Sequence, residues 1–169
     1  VGSEMCIRDR GIIFKPKYII EVSGMVWEPK GFANQVDDAL AQLRLGWGIP
    51  TDWYHRDDLF QFEMSSIYEH EWQYFAPTVQ LLSPGDYVVG RVSNVPIFVT
   101  RTDKNELQGF VNMCRHRGHP VLAGTGSRSS FVCPYHGWTY GLDGSLVRAP
   151  DCHHESNFNM DELGLIPIA

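Results

Sequence analysis

The sequence predicts a mainly β domain of small antiparallel sheets with an N-terminal helical arm. The β domain is expected over 79–169, where short apolar runs alternate with turns at intervals of about eight to twelve residues. The arm is expected before it, where apolar residues recur at helical spacing and Gly or Pro ends each run. A chain of 169 residues has room for one ordinary domain and such an appendage.

Composition and charge narrow the classes of function. Apolar residues make up 43% of the chain and charged residues 20%, which is typical of a globular protein. No apolar run approaches the roughly 18 residues of a membrane-spanning helix. A net charge of −6 without a long basic stripe argues against nucleic-acid binding and against membrane binding. The start of the chain shows no signal-peptide pattern, which predicts a cytoplasmic location and cysteines that serve metals or catalysis.

The N-terminal part is expected to contain little regular structure. Residues 1–10 resemble translated adapter sequence and are interpreted as a non-native tail. The segment 11–56 is expected to hold one short helix, which begins at an Asn34 cap and ends at Leu45, just before Gly46. Its apolar face would consist of the aliphatic residues Val36, Leu40 and Leu43.

A longer helix is expected over 57–76. Asp57 is a suitable N-cap, and Pro77 would stop the helix. Apolar residues follow at helical spacing and are interpreted as a packing face, with the acidic residues between them in solvent. The face would consist of Phe60, Met64, Ile67, Tyr68, Trp72 and Phe75.

Two loops at predicted strand ends carry the residues that indicate chemistry. The first has the sequence C-R-H-R-G and begins at Cys114, and the second has the sequence C-P-Y-H-G-W-T-Y and begins at Cys133. The combined pattern is C-x-H-x16-C-x2-H. Each loop therefore offers one thiolate and one imidazole. Thiolates favour iron–sulfur clusters and zinc, and imidazole suits iron and zinc.

Two metal centres fit this pattern. In a Rieske [2Fe–2S] cluster two histidines replace two cysteines on one iron, so Cys114 and Cys133 would hold one iron and His116 and His136 the other. The alternative is a structural zinc site with the same four ligands. Zinc fingers commonly pair Cys with Cys and His with His, whereas each loop here holds one of each, so the pattern favours the cluster.

Neighbouring residues are expected to support the cluster. Gly118 and Gly137 would let the backbone approach it and leave N–H groups free to bond its sulfides. Trp138 would cover the site, and Arg117 could face an acidic partner surface. His119 is interpreted as a solvated loop residue.

The loop sequences resemble those of the α subunits of Rieske non-haem iron oxygenases of the aromatic ring-hydroxylating type. The resemblance covers about residues 49–169. It implies a Rieske domain that takes electrons from a ferredoxin or flavin reductase and passes them singly to a mononuclear Fe(II) that activates O2. That iron would lie in a catalytic domain downstream of residue 169, so no catalytic residue is assigned and no oxygenase activity is expected from this chain alone.

The resemblance also implies partners and a redox range. A homo-oligomer is expected for the full-length protein. In members that form trimers, a cluster histidine hydrogen-bonds a carboxylate of the neighbouring subunit beside that subunit's iron, and His136 matches that histidine. High-potential Rieske proteins add a cysteine to each loop, and Tyr135 stands at one of those positions here. A low reduction potential is therefore expected. The family implies aromatic hydrocarbon catabolism, and a stand-alone Rieske ferredoxin is the alternative function.

Overall fold

A computed structural model describes residues 4–8, 11–15, 31–152 and 157–168. Within these ranges lie two α-helices, α1 (Phe32–Arg44) and α2 (Asp57–Glu63). Short 3-10 helices lie at Thr51–His55, Thr78–Gln80 and Met160–Glu162. The strands of the described ranges are, in order, β1 (Glu4–Arg8), β2 (Gly11–Lys15), β3 (Gln73–Pro77), β4 (Asp86–Val92), β5 (Val95–Arg101), β6 (Leu107–Val111), β7 (Thr125–Ser127), β8 (Phe131–Val132), β9 (Thr139–Tyr140), β10 (Leu146–Arg148) and β11 (Pro167–Ile168).

The strands of the described ranges form three antiparallel sheets, which confirms the expected mainly β class. One sheet has the order β11-β6-β5-β4-β7, a second the order β10-β9-β8, and a third the order β1-β2-β3. The central hairpin β4–β5 is in continuous register from Tyr87 opposite Thr100 to Val92 opposite Val95. No helix in the described ranges is long and apolar enough to cross a membrane.

Side chains alternate along each strand of the five-stranded sheet, so its two faces contribute to two different core clusters. On one face Phe98 meets Phe131 of the β10-β9-β8 sheet, with ring centroids 5.1 Å apart. On the other face Ile97 and Val99 pack in a second cluster that includes Ile12 of β2. The first cluster matters for function, because it contains both loop cysteines and Trp138 as well as Phe98.

The helix expected over 57–76 ends much earlier. Regular α-helix stops at Glu63, one π-helical turn follows at Met64–Tyr68, and β3 begins at Gln73. β3 pairs with β2, and Ala76 in it is buried. This segment forms a strand instead of a helix because it pairs with β2, some sixty residues earlier in the chain. Local periodicity carries no information about such a distant partner.

The expected packing face of that helix is also wrong in part. Phe60, Ile67 and Trp72 are 52%, 48% and 40% exposed, whereas Leu59 and Met64 are buried. Loss of the regular helix after α2 removes the common face that the spacing predicted. The expected cap is wrong as well, because Asp57 is already helical and follows a cap position without a side-chain hydrogen bond.

Helix α1 differs from its expectation at its start and agrees at its end. It begins at Phe32 after Gly31, so Asn34 lies inside the first turn and does not cap it. Gly46 follows the helix with a φ of 83°, as a helix-terminating glycine does. Of the expected apolar face, Leu40 and Leu43 are each 45% exposed, and the buried residue is Ala39.

Residues 4–8, although excluded from the expected fold, form β1 along the edge of the third sheet. Glu4 lies opposite Lys15, and Arg8 lies opposite Gly11. The non-native origin of residues 1–10 stays a prediction, since strand pairing does not depend on where a segment came from.

Candidate metal centre

The two cysteine loops have the same backbone arrangement. Cys114 lies shortly after β6, and Cys133 directly follows β8. The Gly118 N–H donates to the Cys114 carbonyl at 2.9 Å, and the Gly137 N–H donates to the Cys133 carbonyl at 3.0 Å. Each cysteine N–H also donates to the carbonyl five residues ahead, at 2.8 Å in the first loop and 2.7 Å in the second. Each loop is thus a closed turn that presents its cysteine at a fixed place.

The two loop positions require glycine because of their backbone conformation, since there is enough space for a Cβ at both. Gly118 and Gly137 both have a φ of 71°, which L side chains rarely adopt. A Cβ on Gly118 would lie 3.8 Å from the Met113 sulfur, and one on Gly137 would lie 3.6 Å from Pro150 Cγ, both ordinary contacts. Their N–H groups are used inside the loops, which corrects the expectation that these groups are free to bond sulfides.

The two loop thiols form a buried pair. Cys114 and Cys133 are each 2% exposed, and neither is in a disulfide. Burial raises the pKa of the Cys133 thiol and the adjacent Cys114 adds to the rise, while the backbone N–H groups of Tyr135 and His136 lower it. Without a metal, burial thus favours the protonated form of the Cys133 thiol, but a bound metal ion deprotonates thiols outright. The thiol pair is therefore suited to binding a metal cation, whose positive charge compensates the thiolates in the core.

Tyr140 is a site residue that the sequence analysis did not nominate. Its hydroxyl lies 3.2 Å from the Cys114 sulfur and accepts the Arg115 N–H at 3.0 Å. Burial is the main cause that raises the pKa of Tyr140, so the phenol keeps its proton. Toward a Cys114 thiolate the hydroxyl can act only as a donor. The W-T-Y end of the second loop was the available signal, but only folding places it beside the first loop.

The two loop histidines form a second pair next to the thiols. The ring centroids of His116 and His136 are 4.8 Å apart, with planes at 68°. The ring of His116 is half-buried and stacks on Trp138 at 4.9 Å and 7°. Burial lowers the pKa of His116, and His136 and the exposed Arg117 lower it further. Neutral imidazole is the form that binds metals, so this environment favours a ligand state.

His136 is held differently from His116. Its ring is exposed and stacks on Tyr135, with centroids 3.8 Å apart and planes at 27°. Tyr135 is itself 56% exposed and lies 5.6 Å from the ring of His119. His119 is exposed, as expected, and its Nδ1 lies 2.7 Å from the Pro120 carbonyl oxygen.

The residues present fit a two-iron cluster better than a single zinc ion. A buried thiol pair stands beside a pair of imidazoles, one half-buried and one exposed, which offers each of two irons two ligands of one kind. A tetrahedral zinc site would need four ligands around a single ion.

Comparison with known proteins agrees with this geometry. Residues 71–161 match the sequence model of a family described as the Rieske [2Fe–2S] domain. The chain is 38% identical to the chloroplastic choline monooxygenase of Spinacia oleracea, over 70% of this chain and 27% of that protein. It is 33% identical to the carnitine monooxygenase oxygenase subunit of Escherichia coli (strain K12), over 72% of this chain and 33% of that protein.

Solved structures show the same relationship. Naphthalene 1,2-dioxygenase from a Rhodococcus species has a TM-score of 0.74 and 31% identity, over 85% of this chain and 33% of that one. The quaternary ammonium Rieske monooxygenase CntA in its apo form has a TM-score of 0.63 and 34% identity, over 70% of this chain and 35% of that one.

The fold and the paired loops thus define an iron–sulfur electron-transfer domain. The chain belongs to the Rieske [2Fe–2S] domain family, and a Rieske cluster is its cofactor. The relatives it matches are oxygenase subunits, not stand-alone ferredoxins. The chain spans about a third or less of the length of these curated relatives.

Proposed function

We propose that this chain is the electron-transfer domain of a Rieske oxygenase, in which Cys114 and Cys133 hold one iron and His116 and His136 hold the other. The observation that carries the proposal is the buried thiol pair beside a pair of imidazoles, one half-buried and one exposed, on two loops with the same backbone closure. When bound, the cluster supplies reversible one-electron storage. The chain's own residues orient it, exclude water on the thiol side and leave the histidine side accessible.

Electrons are proposed to leave through His136 toward a catalytic domain of a neighbouring subunit. The exposure of its ring supports this direction, because a partner can reach it without any opening of the core. Inter-subunit electron transfer is described for a quaternary ammonium Rieske monooxygenase that is 34% identical to this chain. A carboxylate of the neighbouring subunit in a homo-oligomer would accept a hydrogen bond from this imidazole, and the mononuclear Fe(II) would lie beyond it.

A ferredoxin or flavin reductase is proposed as the electron donor. Arg115 and Arg117 are exposed on the loop that holds His116, so they offer positive charge close to the cluster in a chain of net charge −6. Charge complementarity of this kind speeds encounter with an acidic carrier. A cytoplasmic location is proposed for a bacterial host, while the plant choline monooxygenases are chloroplastic.

Quaternary ammonium compounds are proposed as the first substrate class to test on the full-length protein. The support is the identity of 33–38% to enzymes named for choline and carnitine. Aromatic hydrocarbons are the second class, since naphthalene 1,2-dioxygenase matches 85% of the chain. Residues that would bind substrate are expected downstream of residue 169, so these classes rest on relatives alone.

The cluster ligands are tested by reconstituting the chain with iron and sulfide and recording EPR spectra after dithionite reduction. We expect a rhombic signal whose average g value lies below that of an all-cysteine [2Fe–2S] cluster. His116→Cys and His136→Cys should each raise that average, because each replaces a neutral ligand by a thiolate. His119→Cys is the matched control, since His119 is an exposed loop histidine outside the proposed ligand set, and it should leave the average g value unchanged.

Two outcomes would overturn the ligand assignment. One is a colourless protein that retains stoichiometric zinc under conditions that load iron into other Rieske proteins. The other is a signal that shifts as strongly with His119→Cys as with His136→Cys.

A further inference from the structure

We infer that Tyr135 is a positioning residue that sets the ring orientation of His136, the proposed exit ligand. The inference rests on the proposed function, since it matters only if His136 binds the cluster. Its basis is the stack of Tyr135 on His136, with centroids 3.8 Å apart and planes at 27°, together with a tilted contact at 5.6 Å from Tyr135 to His119 of the other loop. The loop sequence alone indicates no role for Tyr135 beyond the absence of a cysteine at that position.

Besides each other, the two histidines of the site each contact one ring of a neighbouring aromatic residue. His116 lies parallel to Trp138, whose ring is 3% exposed and packs against Phe158 at 5.7 Å. The core therefore holds His116 in place. His136 lies against Tyr135 at the shorter centroid distance of 3.8 Å, outside the core.

Burial does not explain the position of the Tyr135 ring. It is 56% exposed, so it adds little to the hydrophobic core. It nevertheless contacts both a ring of the first loop, His119, and the candidate ligand of the second loop, His136. A planar ring in this place limits rotation of the imidazole while leaving its edge open to a partner.

Orientation needs such a restraint for a physical reason. The χ2 torsion of histidine has broad, shallow minima, so an exposed imidazole samples a wide range of ring planes. A bond from one ring nitrogen to a metal fixes the position of that nitrogen more tightly than it fixes the ring plane. Electron transfer to a partner depends on how the ring meets it, so a spread of ring planes would lower the fraction of productive encounters.

The test is pulsed EPR of the reduced, reconstituted chain, which resolves the nitrogen couplings of the two histidine ligands separately. Tyr135→Leu removes the ring but keeps apolar volume, and we expect it to broaden one of the two couplings by about twofold, as a wider range of ring planes would. Tyr135→Phe keeps the ring and should restore the original linewidth. His119→Ala removes only the tilted ring that contacts Tyr135 and should broaden the same coupling less than Tyr135→Leu does.

Tyr54→Leu is the matched control, because Tyr54 is 71% exposed and belongs to the Thr51–His55 helix and to neither loop. It should leave both couplings unchanged. Unchanged couplings in Tyr135→Leu, or equal broadening of both, would overturn the inference while the cluster signal itself still supports the proposed function. Broadening in Tyr135→Phe would also overturn it, since the hydroxyl rather than the stacked ring would then be responsible. Loss of the Rieske signal in the unmodified chain would instead remove the proposed function.

Discussion

The two cysteine loops share a backbone but not an environment. Gly118 and Gly137 have the same φ of 71°, and both loops close with the same hydrogen bonds. Yet the first loop presents a half-buried His116 stacked on a buried indole, and the second presents an exposed His136 stacked on an exposed phenol. Backbone closure is thus a local property of each loop, while the surroundings of each ligand depend on the rest of the fold.

The thiols show the same difference. Both are buried to the same extent, and the Tyr140 hydroxyl lies 3.2 Å from the Cys114 sulfur. Burial raises the pKa of the Cys133 thiol, while the backbone N–H groups of Tyr135 and His136 in its own loop lower that pKa. A residue distant in sequence therefore contacts the Cys114 sulfur, while immediate neighbours lower the thiol pKa of Cys133. The four experiments below separate what the loops share from what distinguishes them.

The largest expected effect tests what the loops share, the buried thiols. Cys114→Ser and Cys133→Ser should each abolish cluster binding almost completely, because a hydroxyl is a poor substitute for a soft thiolate. Iron content and visible absorbance after reconstitution measure this. Cys152→Ser is the control, since Cys152 is a free, half-buried cysteine outside the loops. Equal iron loss in that variant would contradict the assignment.

The next effect separates the two aromatic supports. Trp138→Ala should lower the free energy of unfolding by about 3–5 kcal/mol, because it empties a large buried site. Tyr135→Ala should cost less than about 1 kcal/mol, because its ring is mostly exposed. Guanidinium unfolding of the metal-free chain measures both, and similar losses would show that the environments are more alike than the structure indicates.

The loop glycines should respond equally. Gly118→Ala and Gly137→Ala each force a side chain into left-handed backbone, at a cost of about 1–2 kcal/mol in unfolding free energy. Gly48→Ala, at an open position without a positive φ, should be nearly neutral. The same chemical-unfolding assay applies, and a much larger loss at one loop would show that the two backbones are not equivalent.

The smallest effect probes the single hydroxyl that distinguishes the sulfurs. Tyr140→Phe should lower the reduction potential on the order of 50 mV, about 1 kcal/mol for one electron, because a donated hydrogen bond favours the more negative reduced state. Tyr87→Phe is the control, because Tyr87 is buried in the same core cluster and its hydroxyl lies 3.5 Å from the Ala123 carbonyl. Redox titration followed by EPR measures both. An unchanged potential in Tyr140→Phe would remove this residue from the site.

The low reduction potential expected for the domain stays a prediction. It depends on the loops having no further cysteine, and the described loop thiols are free. The Tyr140 hydroxyl acts in the opposite direction, so the potential should lie above that of a domain with Phe at this position.

The helical arm shows where prediction from sequence failed. The spacing from Phe60 to Phe75 fits a helix, yet β3 forms in its last part because its backbone groups find partners in β2. Such partners lie far along the chain, and periodicity describes only neighbours. The mainly β class was predicted correctly, because the short apolar runs after residue 79 are separated by turns whose residues act locally.

The sequence by itself determined the four candidate ligands, their spacing and the two glycines, because each loop closes through bonds within about five residues. Only the tertiary structure decided which imidazole faces solvent and which stacks on a buried indole. It also decided that Tyr140 meets Cys114, 26 positions earlier in the chain. These features depend on how two sheets pack around Phe98 and Phe131, and that packing joins residues that no local pattern connects.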